Sequence, residues 1–520
     1  MIRQGPLLLR HEEFRSVEHR LKAESVDYNG KTSEFYVYRE TPEGVLVPRY
    51  FHGTDLLLSA KNKQLSKHDL SFPRFKGALW PEQQTGVKKA ISVLRKQLGV
   101  FLNARPGSGK TVAALYIMSA LQPQKALVLV DQDNLAEQWC ERIKTHLPDA
   151  KISFIMPLDS QKALHRKFGQ VSMLGGIQRF DMRGDVIICM AQTYMAHQRP
   201  LKVGMVVVDE AHVFSAPCFS QTIFNINFNW SLALSATSER RDGHEWVFQQ
   251  MLGTKVVEMK GKTEKARALF YGVNTDFLKW SDPTPNDKHT WFKCVWCRFH
   301  EKMTCRYECQ KCDTAKSLGT SSPHVLKDHC ASLYKFHDYN EAAVERMLCD
   351  DPTYTSWIVE TIGTFLKAGR DIFVFSRRRD HLTHLHLMLT LIHGDVSGLY
   401  LGNATNAEAR RKNALALQKP VTLTTFGKAG KGLDVQRKDG ALYAGPVGKH
   451  TVEQAVGRIE RSMRGKMKPV AVHPIIPFPT HIARMKGCLG FYRRHNYGTQ
   501  IEAGLQSKLD RKGRQKGTRR

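Results

Sequence analysis

The sequence predicts an α/β protein of two tandem parallel-sheet units, with a small N-terminal module and a cysteine-rich insertion between the units. Three observations carry this prediction. Apolar runs of strand length, such as residues 126–130 and 206–208, alternate with segments of helical period, the pattern of sheets covered on both faces. The alternation occurs twice, once from Leu79 and again from Trp357. The stretch between the two runs, residues 280–330, follows neither period and is rich in Cys, His, Lys and Trp.

Taken in order, residues 1–77 hold short apolar stretches at 35–38 and 45–50, which read as strands of an accessory, substrate-binding module. Residues 78–279 form the first unit, with strands at 100–104, 126–130, 186–189, 205–208 and 232–234 and helices at 111–121 and 134–146. Residues 331–485 form the second, with strands at 372–375, 421–424 and 469–473 and helices at 381–391 and 452–461. Residues 486–520 read as a basic tail, disordered from Ser507 onward.

The chain of 520 residues is long enough for several buried cores. No apolar run approaches the roughly 20 residues of a membrane-spanning helix. Only Leu7 to Leu9 interrupt the charge near the start, which is not the pattern of a secretion signal. The expectation is a cytoplasmic protein with no membrane partner. Its 78 Lys and Arg against 49 Asp and Glu leave a net charge of +29, which favours polyanions and nucleic acid above all.

The chemistry starts at Ala104-Arg-Pro-Gly107-Ser108-Gly109-Lys110-Thr111, set between a strand and a helix. Glycines let backbone N–H groups close around phosphate oxygens, and the following helix offers the positive end of its dipole. Lys110 is then expected on the β- and γ-phosphates and the Thr111 hydroxyl on Mg²⁺. Val206-Val-Val-Asp209-Glu210-Ala-His212 ends a buried strand in two carboxylates. Asp209 is expected to hold Mg²⁺ and Glu210 to polarise the attacking water.

With both phosphate and metal elements present, the chain resembles superfamily 2 helicases of the DEAD/DEAH type, which implies two RecA-like domains and ATP as the nucleotide. Gln83, in Leu79-Trp-Pro-Glu-Gln83, resembles the glutamine that reads adenine in that family. Residues 127–139 resemble motif Ia, Ala191-Gln192-Thr193 motif Ib, and Leu234-Ser235-Ala-Thr237 motif III. The continuation Ser-Glu-Arg240-Arg241-Asp242-Gly243 is similar to a branch containing phage branch-migration, poxvirus transcript-release and eukaryotic repair-factor helicases.

In the second unit, Phe373 to Arg377 resembles motif IV, and Thr424-Thr425 with Gly432-Leu-Asp434 resembles motif V. Lys431 stands where that branch often has an acid. Gln454 to Arg461 resembles motif VI. The resemblance implies that Gly432 and Asp434 belong to the nucleotide site. It also implies that Arg458 and Arg461 reach the γ-phosphoryl group across a cleft. Ser235 and Thr237 would couple the metal site to the nucleic acid, and Gln192, Thr193, Arg377 and Thr424 would touch its backbone.

Cys294-Val-Trp-Cys297 and Cys309-Gln-Lys-Cys312 are two CxxC knuckles whose spacing lets four thiolates meet on a structural Zn²⁺. Cys305 and His300 are alternative ligands, and an iron–sulfur cluster is the alternative group. The expected function is an ATP-hydrolysing helicase or translocase, with DNA favoured over RNA and forked or branched DNA as substrate. Alternatives are an RNA helicase, an ATP-switched release factor that never separates strands, and a restriction motor needing a separate nuclease.

Overall fold

The computed structural model describes residues 6–26, 32–51, 72–169, 179–197, 199–211, 221–235, 244–261, 264–276, 334–335, 338–339, 341–401, 407–429, 435–463 and 465–506. The chain divides into two compact units, Met1–Lys262 and Thr263–Arg520.

The first unit is organised around a seven-stranded parallel sheet. In chain order its strands are β1 (Gly99–Asn103), β2 (Ala126–Val130), β3 (Ile152–Ile155), β4 (Val186–Met190), β5 (Leu201–Val208), β6 (Ile226–Ser235) and β7 (Val256–Glu258). Side by side they run β7-β1-β6-β5-β2-β4-β3. Every residue of β2, β3 and β4 is buried, as expected of strands covered on both faces. The main helices are α1 (Pro81–Gln97), α2 (Lys110–Leu121), α3 (Asp133–His146) and α4 (Ala191–His197). In the register Val208 lies opposite Leu129 and Ala233, and Ser235 lies opposite Asn103. The central strands therefore all end at one edge, where open α/β sheets place their ligands.

The N-terminal residues form a three-stranded antiparallel sheet, with strands Leu7–Leu9, Arg39–Thr41 and Gly44–Val47, and a hairpin of Lys22–Val26 with Thr32–Tyr36. They share a core with the first sheet: Leu9, Val45, Val47 and Phe51 cluster with Phe228, Phe248 and Leu252. Arg49 donates to the Phe228 carbonyl at 2.7 Å, and the Tyr50 N–H donates to the Gln250 carbonyl at 2.7 Å. The accessory module is thus part of the first compact unit, because its apolar face is completed by that sheet.

The second unit repeats the plan. Its strands are β8 (Arg267–Gly272), β9 (Ile372–Ser376), β10 (Ser397–Tyr400), β11 (Val421–Thr425), β12 (Gly440–Tyr443), β13 (Val470–Ile475) and β14 (Thr499–Ile501), arranged β10-β11-β9-β12-β13-β8-β14, all parallel. Its helices include α5 (Glu341–Asp350), α6 (Lys449–Ile459) and α7 (Pro479–Arg494).

Three expected boundaries move. Residues 267–272 fall within the first unit by their position in the sequence, yet β8 pairs with β13 and β14. The second unit therefore begins near residue 263 and not at 331, and the cysteine-rich stretch is flanked on both sides by the second unit instead of lying between the two. The second unit also runs past 485. Buried Cys488, Leu489, Phe491, Tyr492 and Tyr497 pack α7 and its exit into the core, and β14 completes the sheet edge. Only residues 507–520 of the expected tail lie outside the described residues.

No helix among the described residues is long and apolar enough to cross a membrane.

Candidate nucleotide site

The loop from Ala104 to Gly109 leaves β1 and enters α2 at Lys110. Gly107 and Gly109 have φ of +79° and +80°, a left-handed conformation that a side chain strains. A Cβ on Gly109 would also sit 2.4 Å from the Gln83 amide nitrogen. The N-terminal turn of α2 has no acidic residue and no side-chain cap, so its first N–H groups and dipole are left for an anion.

The loop fits a polyphosphate in a second respect. Ser108 is 1% exposed, and its Oγ finds no hydrogen-bond partner among the described residues. Lys110 folds back over the loop and donates to the Ala104 carbonyl at 3.1 Å. Thr111, beside it in the first turn of α2, is half-buried.

Gln83 is brought to this loop, though as a brace. It is buried, its Nε2 donates to the Ser108 carbonyl at 2.8 Å, and its Oε1 accepts from the Trp80 N–H at 2.9 Å. One lone pair on Oε1 is left over from these bonds.

Asp209 follows β5 directly and is 5% exposed. Its Oδ1 accepts the backbone N–H of Glu210 at 2.9 Å, and its Oδ2 accepts the indole N–H of Trp139 at 2.9 Å. Burial pushes this carboxyl up to about 6, helped by the charge of Glu210 and opposed by Lys110 and the indole donor. A bound cation would relieve that unmet charge. Glu210 has φ +48°, a conformation that costs a non-glycine residue on the order of 1–2 kcal/mol and is kept only where the surroundings enforce it.

Ser235 is fully buried at the end of β6, and its carbonyl accepts the Ala104 N–H at 3.0 Å. Motif III and the phosphate loop are thereby joined through the backbone. Gln192, exposed at the start of α4, donates to the Asp131 carbonyl at 3.0 Å, and Thr193 beside it is half-buried. Lys110, Thr111, Asp209, Glu210 and Ser235 thus end or follow strands at one sheet edge, and Gln83 of α1 is bonded to the phosphate loop at Ser108.

In the second unit Arg377 leaves β9 and pairs with Glu345 of α5 at 3.0 Å. Burial raises the Glu345 carboxyl, and the Arg377 and Arg484 guanidinium groups oppose the rise. Arg458 is 8% exposed in the last turn of α6, and Arg461 follows two residues beyond that helix. Between them Glu460 is buried, accepting from the Ala266 N–H at 2.9 Å and the Tyr497 hydroxyl at 3.1 Å, which fixes the backbone that carries both arginines. Lys466 donates to the Arg461 carbonyl at 2.8 Å.

Thr424 departs from its expected role. It is fully buried, and its hydroxyl donates to the Tyr400 carbonyl at 2.7 Å across neighbouring strands, while Thr425 is half-buried at the strand end. Thr237, Gly432, Asp434 and the thiols of Cys294, Cys297, Cys309 and Cys312 lie outside the described residues, as do Cys305, His300 and His212. Among the described residues no group of His, Cys, Asp and Glu is arranged to hold a metal.

Sequence reasoning missed the roles of Trp139, Glu345 and Glu460. Each acts through a partner far away in the chain, and nothing local marks it.

The profile of the family described as type III restriction enzyme, res subunit, matches residues 76–240. A putative ATP-dependent RNA helicase of Acanthamoeba polyphaga mimivirus is 21% identical over 493 residues, covering 92% of this chain and 81% of the relative. A probable helicase of Escherichia phage T5 is 20% identical, covering 76% of this chain and 72% of the relative. A putative helicase of Invertebrate iridescent virus 6 is 26% identical, covering 53% of this chain and 59% of the relative. The tandem parallel sheets, the phosphate loop at Lys110 and these likenesses support a superfamily 2 helicase that hydrolyses ATP.

Proposed function

We propose that this enzyme is a DNA translocase that opens or remodels forked or branched DNA in replication, recombination or repair. The choice of DNA rests on the stretch from Leu234 to Gly243, which resembles the branch-migration and repair-factor helicases. The net charge of +29 supports a polyanionic track. The first compact unit, with its N-terminal strands, and a zinc knuckle on Cys294, Cys297, Cys309 and Cys312 select the substrate.

In this reading Lys110 holds the β- and γ-phosphates, and Gln83 braces the loop while its spare lone pair on Oε1 accepts from the adenine amine. Thr111 and Asp209 hold Mg²⁺, which when bound neutralises phosphate oxygens. Glu210 orients the attacking water, and Arg458 and Arg461 stabilise charge on the transferring group, with Gly432 and Asp434 completing the site. Ser235 and Thr237 couple this chemistry to the strand, whose backbone meets Gln192, Thr193 and Arg377. The commitment of the Thr424 hydroxyl to Tyr400 favours Thr425 as the contact at the end of β11.

A second reading, an RNA helicase, is favoured by the name of the mimivirus relative. The deciding experiment compares ATP hydrolysis and strand displacement on single-stranded DNA, duplex DNA, forked DNA and RNA. Forked DNA is expected to stimulate most. Stronger stimulation by RNA moves the assignment to RNA, and stimulation without displacement on any substrate makes the enzyme an ATP-driven switch.

A further inference from the structure

The bond between Trp139 and Asp209 joins two parts of the first unit that the sequence keeps 70 residues apart. The Trp139 indole is fully buried on α3, on the same face as Ala136, Cys140 and Ile143. A buried indole N–H normally finds an acceptor, and a backbone carbonyl would serve. Here it is spent on a carboxylate that stands at the mouth of β5. With the Glu210 N–H on Oδ1 and the indole on Oδ2, each oxygen of Asp209 has a donor, and together the two donors fix the plane of the carboxylate. The indole also favours the ionised form, against burial and against the charge of Glu210.

The segment leading into α3 reaches one of the expected nucleic-acid contacts. Asp131, two residues before the helix begins, accepts the Gln192 side chain on its carbonyl. A short path therefore runs from exposed Gln192 through buried Asp131 and α3 to the carboxylate at the nucleotide site.

We infer that Trp139 is a positioning residue for the ATPase reaction: its N–H sets the Asp209 carboxylate to receive Mg²⁺ and ties that setting to the helix behind the strand contacts. The inference rests on the reading of Asp209 as the carboxylate that holds Mg²⁺. Groups that orient a metal-bearing side chain typically contribute about 10- to 100-fold in metal affinity.

The test uses the full chain and a fluorescent ATP analogue, whose affinity is measured with and without Mg²⁺. Trp139→Phe keeps a ring and loses the donor. Its affinity without Mg²⁺ is expected to match the unaltered protein, and the strengthening by Mg²⁺ is expected to shrink roughly tenfold or more. Full strengthening by Mg²⁺ in Trp139→Phe, with only a lower melting temperature, overturns the proposal. Trp139→Met fills the site with a flexible apolar chain and repeats the test if the phenylalanine variant does not fold. Collapse of both assigns the indole to packing and also overturns it. Asp209→Asn separates the two readings. If it retains the full response to Mg²⁺, the assignment of Asp209 itself fails, whatever Trp139 does.

Discussion

A central strand of the first sheet, β5, ends in two carboxylates, whereas the second unit delivers arginines. Asp209 and Glu210 follow β5, and burial leaves Asp209 a reluctant anion, pushed up to about 6. Arg377 follows β9 with Glu345 already paired to it, and Arg458 and Arg461 straddle a glutamate that is spent on structure. One unit holds charge whose burial a bound cation would offset. The other holds cations on a rigid backbone. The same seven-stranded plan has been put to opposite electrostatic uses, which the order of strands alone does not reveal.

The largest effects should come from removing one charge from each side. Lys110→Ala is expected to abolish both nucleotide binding and turnover. Arg461→Ala is expected to keep nucleotide affinity within a few-fold and lose about 10³-fold or more in kcat, as an arginine acting on the transition state does. Calorimetric binding and steady-state turnover check this division. An Arg461→Ala variant with normal kcat and weakened binding would break it.

Acid should separate the units next. His381 is pushed down to about 4 by burial, and His473 and His481 to about 3, all in the second unit. The unfolded chain takes up these protons near pH 6.5, while the folded chain refuses them until pH 3–4. Stability is therefore intact above pH 6.5 and falls as pH drops, by about 2 kcal/mol per histidine at pH 5. Asp209 works the other way. Its folded value lies above the unfolded one, so its protonation adds about 1 kcal/mol as pH falls from 7 to 5. Urea melts at pH 7 and pH 5, followed by hydrogen exchange on peptides from each unit, should show the second unit weakening first. Equal weakening of the two would remove the contrast.

The smallest effect concerns Glu345. Glu345→Gln frees Arg377 and should tighten nucleic-acid binding a few-fold, while Arg377→Ala should weaken it and reduce the salt slope by about 1. Titrations at several salt concentrations read both. Unchanged affinity in Glu345→Gln would leave the pair a surface contact of the ordinary kind.

What was legible in the sequence is whatever a short stretch determines by its own chemistry. The strand at 126–130, the loop at Gly107 to Thr111 and the placement of Asp209 after three valines all lie where expected. These signals are local: apolar runs, positive-φ glycines, a carboxylate at a strand end. The misplaced pieces depend on partners that local pattern does not announce. β8 finds its neighbours at 470–475 and 499–501, and Thr424 loses its hydroxyl to the adjacent strand β10. Gln83 is an intermediate case, recognised by resemblance yet given a bracing role by a fold-dependent contact with Ser108.

The position of β8 reaches beyond the sheet it joins. The second unit holds β8 before the cysteine-rich stretch and α5 after it, and the Asp276 N–H is fastened to the carboxylate of Asp351, one residue past the end of α5, at 2.6 Å. In the sequence the cysteine-rich stretch is thus an insertion within the second unit, between β8 and α5. The chain passes from the first unit to the second near residue 263, before this stretch begins, so the connection between the motor halves does not include it.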